Sequence, residues 1–551
     1  MKSFKVNVGG KALVVNEGTK FSRLLPKNYI DEQIPITLVK QNNRYYEFSD
    51  SIDNDGDVEF IDLGNPLGKI AYSRTLQFVF IKATLDLFKD SRINIEHSIS
   101  KGIFGEVHKE KALDEEDILK IKERMKELID KNIVIDKIKM KKSKAIDIFK
   151  AYGMKDKVDL LNWVESEFVN LYKLEDRYDY FYGDMAYSTG VLKYFDLLFY
   201  NPGFVLMVPS YRKPMEVPIF KEQKQLFKVF RENERWLNIL GTPDVGSLDY
   251  KLAGEELQDI IRISEALHEK KIAHIADMID DRREVKLVLV AGPSSSGKTT
   301  FSKRLSVQLR VNGYIPIAIS LDDYFVNRTH TPIDEDGKPD FESINALDLK
   351  LFNENLQAIL EGEEVEIPSY NFKKGEREWI GNKLKLPDNG VLVIEGIHGL
   401  NPKLTEKIDS KNKFKVYISA LTQLNLDNHN RIPTTDVRKV RRIVRDSLSR
   451  GYGAEQTLEM WSSIKRGEEK NIFVYQEEAD VMFNSTLVYE LAVLKKYALN
   501  ELEKIEKESE VYYEAKRIIN SLKFFVDVDA DKVPKNSILR EFVGGSCFYK
   551  Y

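Results

Sequence analysis

Lys298 and Thr299 stand directly after a glycine-bracketed turn, Gly292-Pro293-Ser294-Ser295-Ser296-Gly297, and Thr300 follows them. The spacing is G-x-x-x-x-G-K-[ST]. In that pattern a curled backbone turns successive N–H groups toward phosphate oxygens, and a helix start adds the positive end of its dipole. A lysine at the position of Lys298 reaches the β- and γ-phosphates, and a hydroxyl at the position of Thr299 binds Mg²⁺. The chemistry expected is that of ATP and Mg²⁺, with Gly292 to Thr300 as the ATP-binding set.

Further chemistry follows downstream. Ser320-Leu-Asp322-Asp323 closes an apolar run, where a carboxylate can orient an attacking hydroxyl or take its proton. Asp322 is the first choice and Asp323 the second. Glu395 closes another apolar run and is expected to bind Mg²⁺ directly or through a partner. Tyr370 and Phe372, two apart, can present adjacent faces to a planar base or a sugar. Arg438, Arg441, Arg442 and Arg445 recur on roughly one side of a helix. They predict an arginine-bearing lid that closes on the transferring phosphoryl group.

The elements that must position these residues alternate from Val285 onward. Leu287–Ala291, Ile315–Ser320, Val391–Glu395 and the run from Lys415 read as strands, with helices starting at Lys298 and Asp348. That is a doubly wound, mostly parallel α/β sheet, whose ligands gather at the carboxyl ends of its strands.

The remaining chain sets the bounds. Its 551 residues exceed one core, so several domains are expected. No apolar run nears the ~20 residues of a membrane span, and Met1-Lys-Ser-Phe-Lys-Val lacks a signal-peptide core. One cysteine, Cys547, excludes an internal disulfide framework, and a cytoplasmic location is expected. A net charge of −4 confines any nucleic-acid contact to a local patch. Lys137 to Lys144 is one basic run, expected to be a solvated face before a nucleic-acid patch. Asp114-Glu-Glu-Asp117 predicts an acidic helix start, and Leu257 to Ile279 a long amphipathic helix.

Two resemblances rest on these motifs. Residues 1–62 are similar to a TGS domain, the β-grasp module of threonyl-tRNA synthetases, and residues 66–205 resemble the second domain of those enzymes. Ile95-Glu-His-Ser-Ile-Ser-Lys-Gly-Ile-Phe-Gly and Asp114-Glu-Glu-Asp117 carry most of that likeness. The family's editing positions fall at Tyr72, Leu76, Ala186 and Gly190, none of which binds a metal or relays a proton. The resemblance implies RNA contact through residues 1–205.

Residues 284–495 resemble the uridine/cytidine kinase and phosphoribulokinase group of P-loop kinases. The likeness rests on the phosphate loop, Ser-x-Asp322-x-x-Phe, Phe341 to Asp348, Pro-x-Tyr370-x-Phe372, Glu395-Gly396 and Arg441-Arg442-x-x-Arg445-Asp446. It implies Asp322 as catalytic base, with Lys298 and the lid arginines Arg441, Arg442 and Arg445 acting on the phosphoryl group. It implies a substrate pocket of Asp322, Tyr370, Phe372 and Glu342, and Mg²⁺ at Thr299 and Glu395. Two departures concern the acceptor. Phe341-Glu342-Ser343-Ile344 replaces a Phe-Asp-His-Pro segment, and Gly375 replaces a histidine. Residues 206–283 read as a helical connector and 496–551 as a C-terminal helical extension.

The expected activity is ATP-dependent phosphorylation of a nucleoside 5′-hydroxyl, with a uridine- or cytidine-like acceptor. The alternatives are a kinase of another small alcohol, such as a phosphorylated sugar, and a nucleotide-dependent RNA- or ribosome-binding regulator.

Overall fold

The computed structural model describes residues 2–549 apart from positions 336 and 423. Its organising element is a five-stranded, all-parallel sheet in the order Ile315–Ser320, Gly390–Glu395, Leu287–Ala291, Lys413–Ser419, Val481–Asn484. The central strand, Leu287–Ala291, is buried along its whole length. Its side chains alternate between two apolar layers. Val288 and Val290 join Phe301, Leu305 and Ile443 on one face, while Leu287 and Leu289 join Tyr324, Phe352 and Ile394 on the other. Covering on both faces is why this strand reads as an unbroken apolar run.

The N-terminal region is built on separate sheets. Residues 3–62 form a five-stranded sheet with Ser3–Val8 parallel to Gly56–Asp62 at its centre. The helix Pro66–Leu87 then leads to an antiparallel four-stranded sheet and a three-stranded one. The acidic helix start is realised as a reciprocal cap, because Asp114 accepts from the Asp117 N–H (2.9 Å) while Asp117 accepts from the Asp114 N–H (3.4 Å).

One apolar core runs across the boundaries expected at 283 and 495. It contains Ile260, Ile272 and Ile279 of the helix Leu257–Asp281, Leu305 and Leu309 of the helix Lys298–Val311, and Ile518 and Phe542 near the C-terminus. Phe149 and Leu160 of the N-terminal region belong to the same core. The two halves also meet in a polar joint. Lys157 lies 3.0 Å from both Asp179 and Asp427, with all three side chains fully enclosed. The Ile95 N–H donates to the Asn428 carbonyl at 2.7 Å. Among the described residues, no helix is long and apolar enough to cross a membrane.

Candidate active site

The phosphate loop takes its shape from close packing beneath it. A Cβ on Gly292 would stand 2.0 Å from the Ile418 carbonyl oxygen, so only glycine fits there. Gly297 adopts φ +84°, a left-handed conformation that glycine reaches without strain, and hands the chain to the helix Lys298–Val311. The Lys298 ammonium folds back to donate to the Pro293 carbonyl at 3.2 Å. Burial lowers the Lys298 pKa, and the nearby Glu395 and Asp322 carboxylates oppose that effect.

Thr299 and Glu395 come together as the sequence expects. The Thr299 hydroxyl donates to Glu395 Oε1 at 3.2 Å, and the Ser320 hydroxyl reaches the same oxygen at 3.3 Å. Burial and then repulsion from Asp322 push Glu395 up to about 7, against the pull of Lys298. A hydroxyl beside a carboxylate, both oxygen donors, suits a small hard cation such as Mg²⁺.

The two aspartates separate cleanly. Asp323 accepts the Tyr370 N–H at 3.1 Å and so holds the short strand Ser369–Asn371. Asp322 lines a cavity of about 750 Å³ together with Lys298, Thr299 and Glu395. Aromatic side chains line the same cavity. Tyr370 and Phe372 stand edge to face with centroids 5.2 Å apart, and Phe325 lies 5.7 Å from Tyr370. The Arg450 guanidinium sits 5.4 Å from the centre of the Phe372 ring. Glu342 also lines the cavity, and burial, reinforced by Glu468, pushes it up to about 7. Gly467 makes room for it, since a Cβ there would stand 2.3 Å from the Glu342 Cβ. At Gly375 the vacated volume is filled by Arg328, which lies 2.9 Å from where a Cβ would be and donates to the Phe372 carbonyl at 2.8 Å.

The arginine helix, Thr434–Ser449, corrects one expectation. Val437, Val440, Ile443 and Val444 lie in the core, so this is a packed wall of the site and not a hinged lid. Its arginines divide by depth. Arg442 and Arg445 line the cavity, and the Arg442 guanidinium donates to Ser294 Oγ at 2.8 Å. Burial and the neighbouring Arg445 push Arg442 down to about 10, which leaves it cationic at neutral pH. Arg441 is fully enclosed beneath the loop, paired with Glu490 and donating to the Ser485 carbonyl at 2.8 Å. Arg438 donates to the Ser294 carbonyl at 3.0 Å and pairs with Glu468. Glu468, which the sequence reading does not single out, also accepts the Ser294 N–H at 3.0 Å. Its partners lie 30 and 174 residues away, so no local pattern signals it.

In the N-terminal region, Tyr72, Leu76 and Ala186 are buried in one apolar cluster. The Tyr72 hydroxyl donates to the Tyr194 carbonyl at 2.9 Å. Among the described residues no three His, Cys, Asp or Glu side chains gather as a metal site. The basic run is mostly a solvated face, with Lys139, Lys141 and Lys144 exposed, and its other lysines are tied into the fold. Lys137 bridges Glu47 (3.0 Å) and Asp50 (2.9 Å), Lys139 lies over the Phe168 ring, and Lys142 donates to the Val164 carbonyl at 2.7 Å.

Comparison with known proteins finds different relatives for different parts of the chain. Residues 287–492 match the Phosphoribulokinase / Uridine kinase family. A uridine kinase of Macrococcus caseolyticus is 28% identical over 181 residues, covering 33% of this chain and 78% of that protein. A threonine–tRNA ligase of Fusobacterium nucleatum is 30% identical over 160 residues, covering 29% of this chain and 26% of the ligase. A solved structure described as a possible uridine kinase from Bacillus stearothermophilus shares 20% identity. It covers 36% of this chain and 89% of that one, with a TM-score of 0.25. The chain thus joins a region, residues 287–492, that matches the Phosphoribulokinase / Uridine kinase family to an N-terminal region similar to part of a threonine–tRNA ligase.

Proposed function

We propose that the protein transfers the γ-phosphoryl group of ATP to the 5′-hydroxyl of a nucleoside, with a uridine- or cytidine-like acceptor, giving the nucleoside monophosphate and ADP. The observation that carries this is one cavity lined both by Lys298, Thr299 and Asp322 and by Tyr370 and Phe372. Its volume, about 750 Å³, falls within the range of pockets that enclose small-molecule substrates.

Asp322 accepts the proton of the acceptor hydroxyl as its oxygen attacks phosphorus. Lys298 and the loop N–H groups bind the phosphate oxygens, and Arg442 and Arg445 stabilise the charge on the transferred group. Thr299 and Glu395 would hold Mg²⁺, which when bound neutralises charge on the phosphate oxygens. Tyr370 and Phe372 offer a face and an edge to a planar base, and Glu342 offers an acceptor to sugar hydroxyls. Arg441 acts at one remove, by holding the loop from below.

The test is a panel of nucleosides, phosphorylated sugars and small alcohols, each incubated with purified protein and ATP–Mg²⁺. Phosphorylation of pyrimidine ribonucleosides ahead of the others is expected. Turnover of only a phosphorylated sugar would replace the nucleoside with the other small-alcohol acceptor, the reading that the departures at Ser343 and Gly375 motivate. Turnover of none would end the proposal.

The match to a threonine–tRNA ligase favours a second role, RNA contact through residues 1–205. Filter binding of the full chain to tRNA across a salt series tests it. Salt-sensitive retention that ATP does not abolish is expected, and no retention at low salt would remove it.

A further inference from the structure

The C-terminal segment brings Glu541, Phe548 and Tyr549 to the cavity beside the phosphate loop, where neither the kinase match nor the sequence motifs call for them. Ile538, Leu539 and Phe542 are buried in the main core, and the Arg441 guanidinium lies 5.0 Å from the centre of the Phe542 ring. Ile538 presses on the phosphate loop, with its Cγ2 lying 2.7 Å from where a Cβ of Gly297 would be. From this anchor Glu541 reaches Thr300. Its Oε2 accepts both the Thr300 N–H (3.2 Å) and the Thr300 hydroxyl (2.8 Å). The Tyr549 hydroxyl completes the cluster, 2.7 Å from Thr300 Oγ1. Glu541, Phe548 and Tyr549 all line the cavity.

Thr300 is not an arbitrary partner. Its N–H belongs to the first turn of the helix that starts at Lys298. The amides of such a turn have no intrahelical acceptor, and in a phosphate loop they serve phosphate oxygens. A carboxylate on that N–H is an anion seated where an anion is to bind. Two anions cannot share one donor pair, and their mutual repulsion is strong where, as here, Thr300 and Glu541 are buried.

Resting on the nucleotide site proposed above, we infer that Glu541 is a built-in competitor of ATP. Its carboxylate stands in for a phosphate oxygen at Thr300, and the entering phosphate chain expels it and releases Tyr549. The anchor at Ile538, Leu539 and Phe542 stays packed while the Glu541 side chain and residues 543–549 move. The segment thereby sets the affinity of the site for nucleotide and reports its occupation through residues 543–549.

The experiment is calorimetric titration of the full chain with a non-hydrolysable ATP analogue and Mg²⁺, for the unaltered protein, Glu541→Gln and Tyr549→Phe. Glu541→Gln keeps shape and hydrogen-bonding capacity while removing the charge. It is expected to tighten binding about tenfold, the scale of a lost charge-assisted contact. Tyr549→Phe removes one neutral contact and is expected to tighten binding about threefold. If Glu541 only braces the helix, Glu541→Gln binds the analogue equally or more weakly, which overturns the inference and leaves the proposed function standing. Absence of binding by all three proteins overturns both.

Discussion

Arg441 and Glu490 form a two-point ion pair, Nε to Oε1 at 3.1 Å and Nη2 to Oε2 at 2.6 Å, inside the core beneath the phosphate loop. Neither side chain is more than 2% exposed. The same guanidinium reaches the Ser295 carbonyl at 3.4 Å, so it ties the loop to the helix Glu490–Leu502. Removing it leaves the buried Glu490 carboxylate with no opposite charge and only the Leu487 N–H to hold it. Arg441→Ala is expected to cost about 3–5 kcal/mol of stability, the scale of a broken buried pair. The urea midpoint of the full chain measures this. The double variant with Glu490→Gln is expected to lose less than the sum of the single losses, because the stranded charge is gone. A single-variant loss below about 1 kcal/mol, the level of a surface pair, would refute the assignment of Arg441 as a loop anchor.

Asp322 and Asp323 are adjacent but carry different duties, and kinetics should separate them. Asp322 lines the cavity beside Lys298, whereas Asp323 is spent on the Tyr370 N–H. Asp322→Asn is expected to lower kcat by roughly 10²–10⁴-fold with nucleotide affinity retained, because a proton acceptor is lost while the phosphate donors remain. Asp323→Ala frees the strand that bears Tyr370. It is expected to raise the acceptor KM by about fivefold, the value of one hydrogen bond, with kcat little changed. A reversed pattern in steady-state kinetics would exchange their roles.

The difference between these residues and the arginines explains what the sequence conveys. The loop, its flanking strand and helix, and Asp322 lie within one stretch, and their signals are local: an apolar run, a glycine turn, a carboxylate at a strand end. The parallel sheet is legible for the same reason. The arginines are visible as a helical stripe, but their partners are not. Glu468 and Glu490 lie 30 and 49 residues beyond Arg438 and Arg441, and only the folded packing decides that these two arginines point down to the loop. Glu541 is 241 residues from Thr300, in a segment whose Gly544-Gly545-Ser546 reads as a flexible end. In the N-terminal half, Tyr72, Leu76 and Ala186 could be seen to lack metal ligands. That they share one apolar cluster depends on how the helix Pro66–Leu87 packs.

Gly467 tests the acceptor end without touching its chemistry. It lies within the helix Ala454–Asn471, where alanine would ordinarily stabilise by about 1 kcal/mol. Here the added methyl would meet Glu342 Cβ at 2.3 Å, too close for any real contact. Either the helix or the Glu342 segment must give way. Gly467→Ala is therefore expected to destabilise the protein, by about 1–3 kcal/mol as overpacking does, and to raise the acceptor KM more than the ATP KM. Thermal unfolding and paired substrate titrations check the two parts. A stabilised variant with unchanged acceptor KM would show that Glu342 is free to shift and lies outside the acceptor site.

The pH dependence of stability has a clear source in Asp249, on the helix Val245–Ala253. Its side chain is fully buried, with Oδ1 accepting the Val526 N–H at 3.2 Å and Oδ2 without a hydrogen-bond partner among the described residues. Burial pushes its pKa from the ordinary 3.8 up to about 7, with Val526 and Lys495 pulling the other way. In the unfolded chain the same carboxyl ionises near its ordinary value. Below about pH 4 both states hold the proton and Asp249 contributes no pH dependence. Between about pH 4 and pH 7 the unfolded state releases it while the folded state keeps it, so stability falls as pH rises. Above about pH 7 both states are ionised and the cost stays constant, on the order of a few kcal/mol. Asp249→Asn keeps an acceptor for Val526 and cannot ionise. It is expected to be more stable than the unaltered protein at pH 8 and close to it at pH 4.5, read as urea midpoints at the two values. Comparing the difference between the proteins isolates Asp249 from the other carboxylates that titrate in the same range. An equal difference at both pH values would mean that Asp249 is ionised in the folded protein throughout, paired with Lys495 in solution.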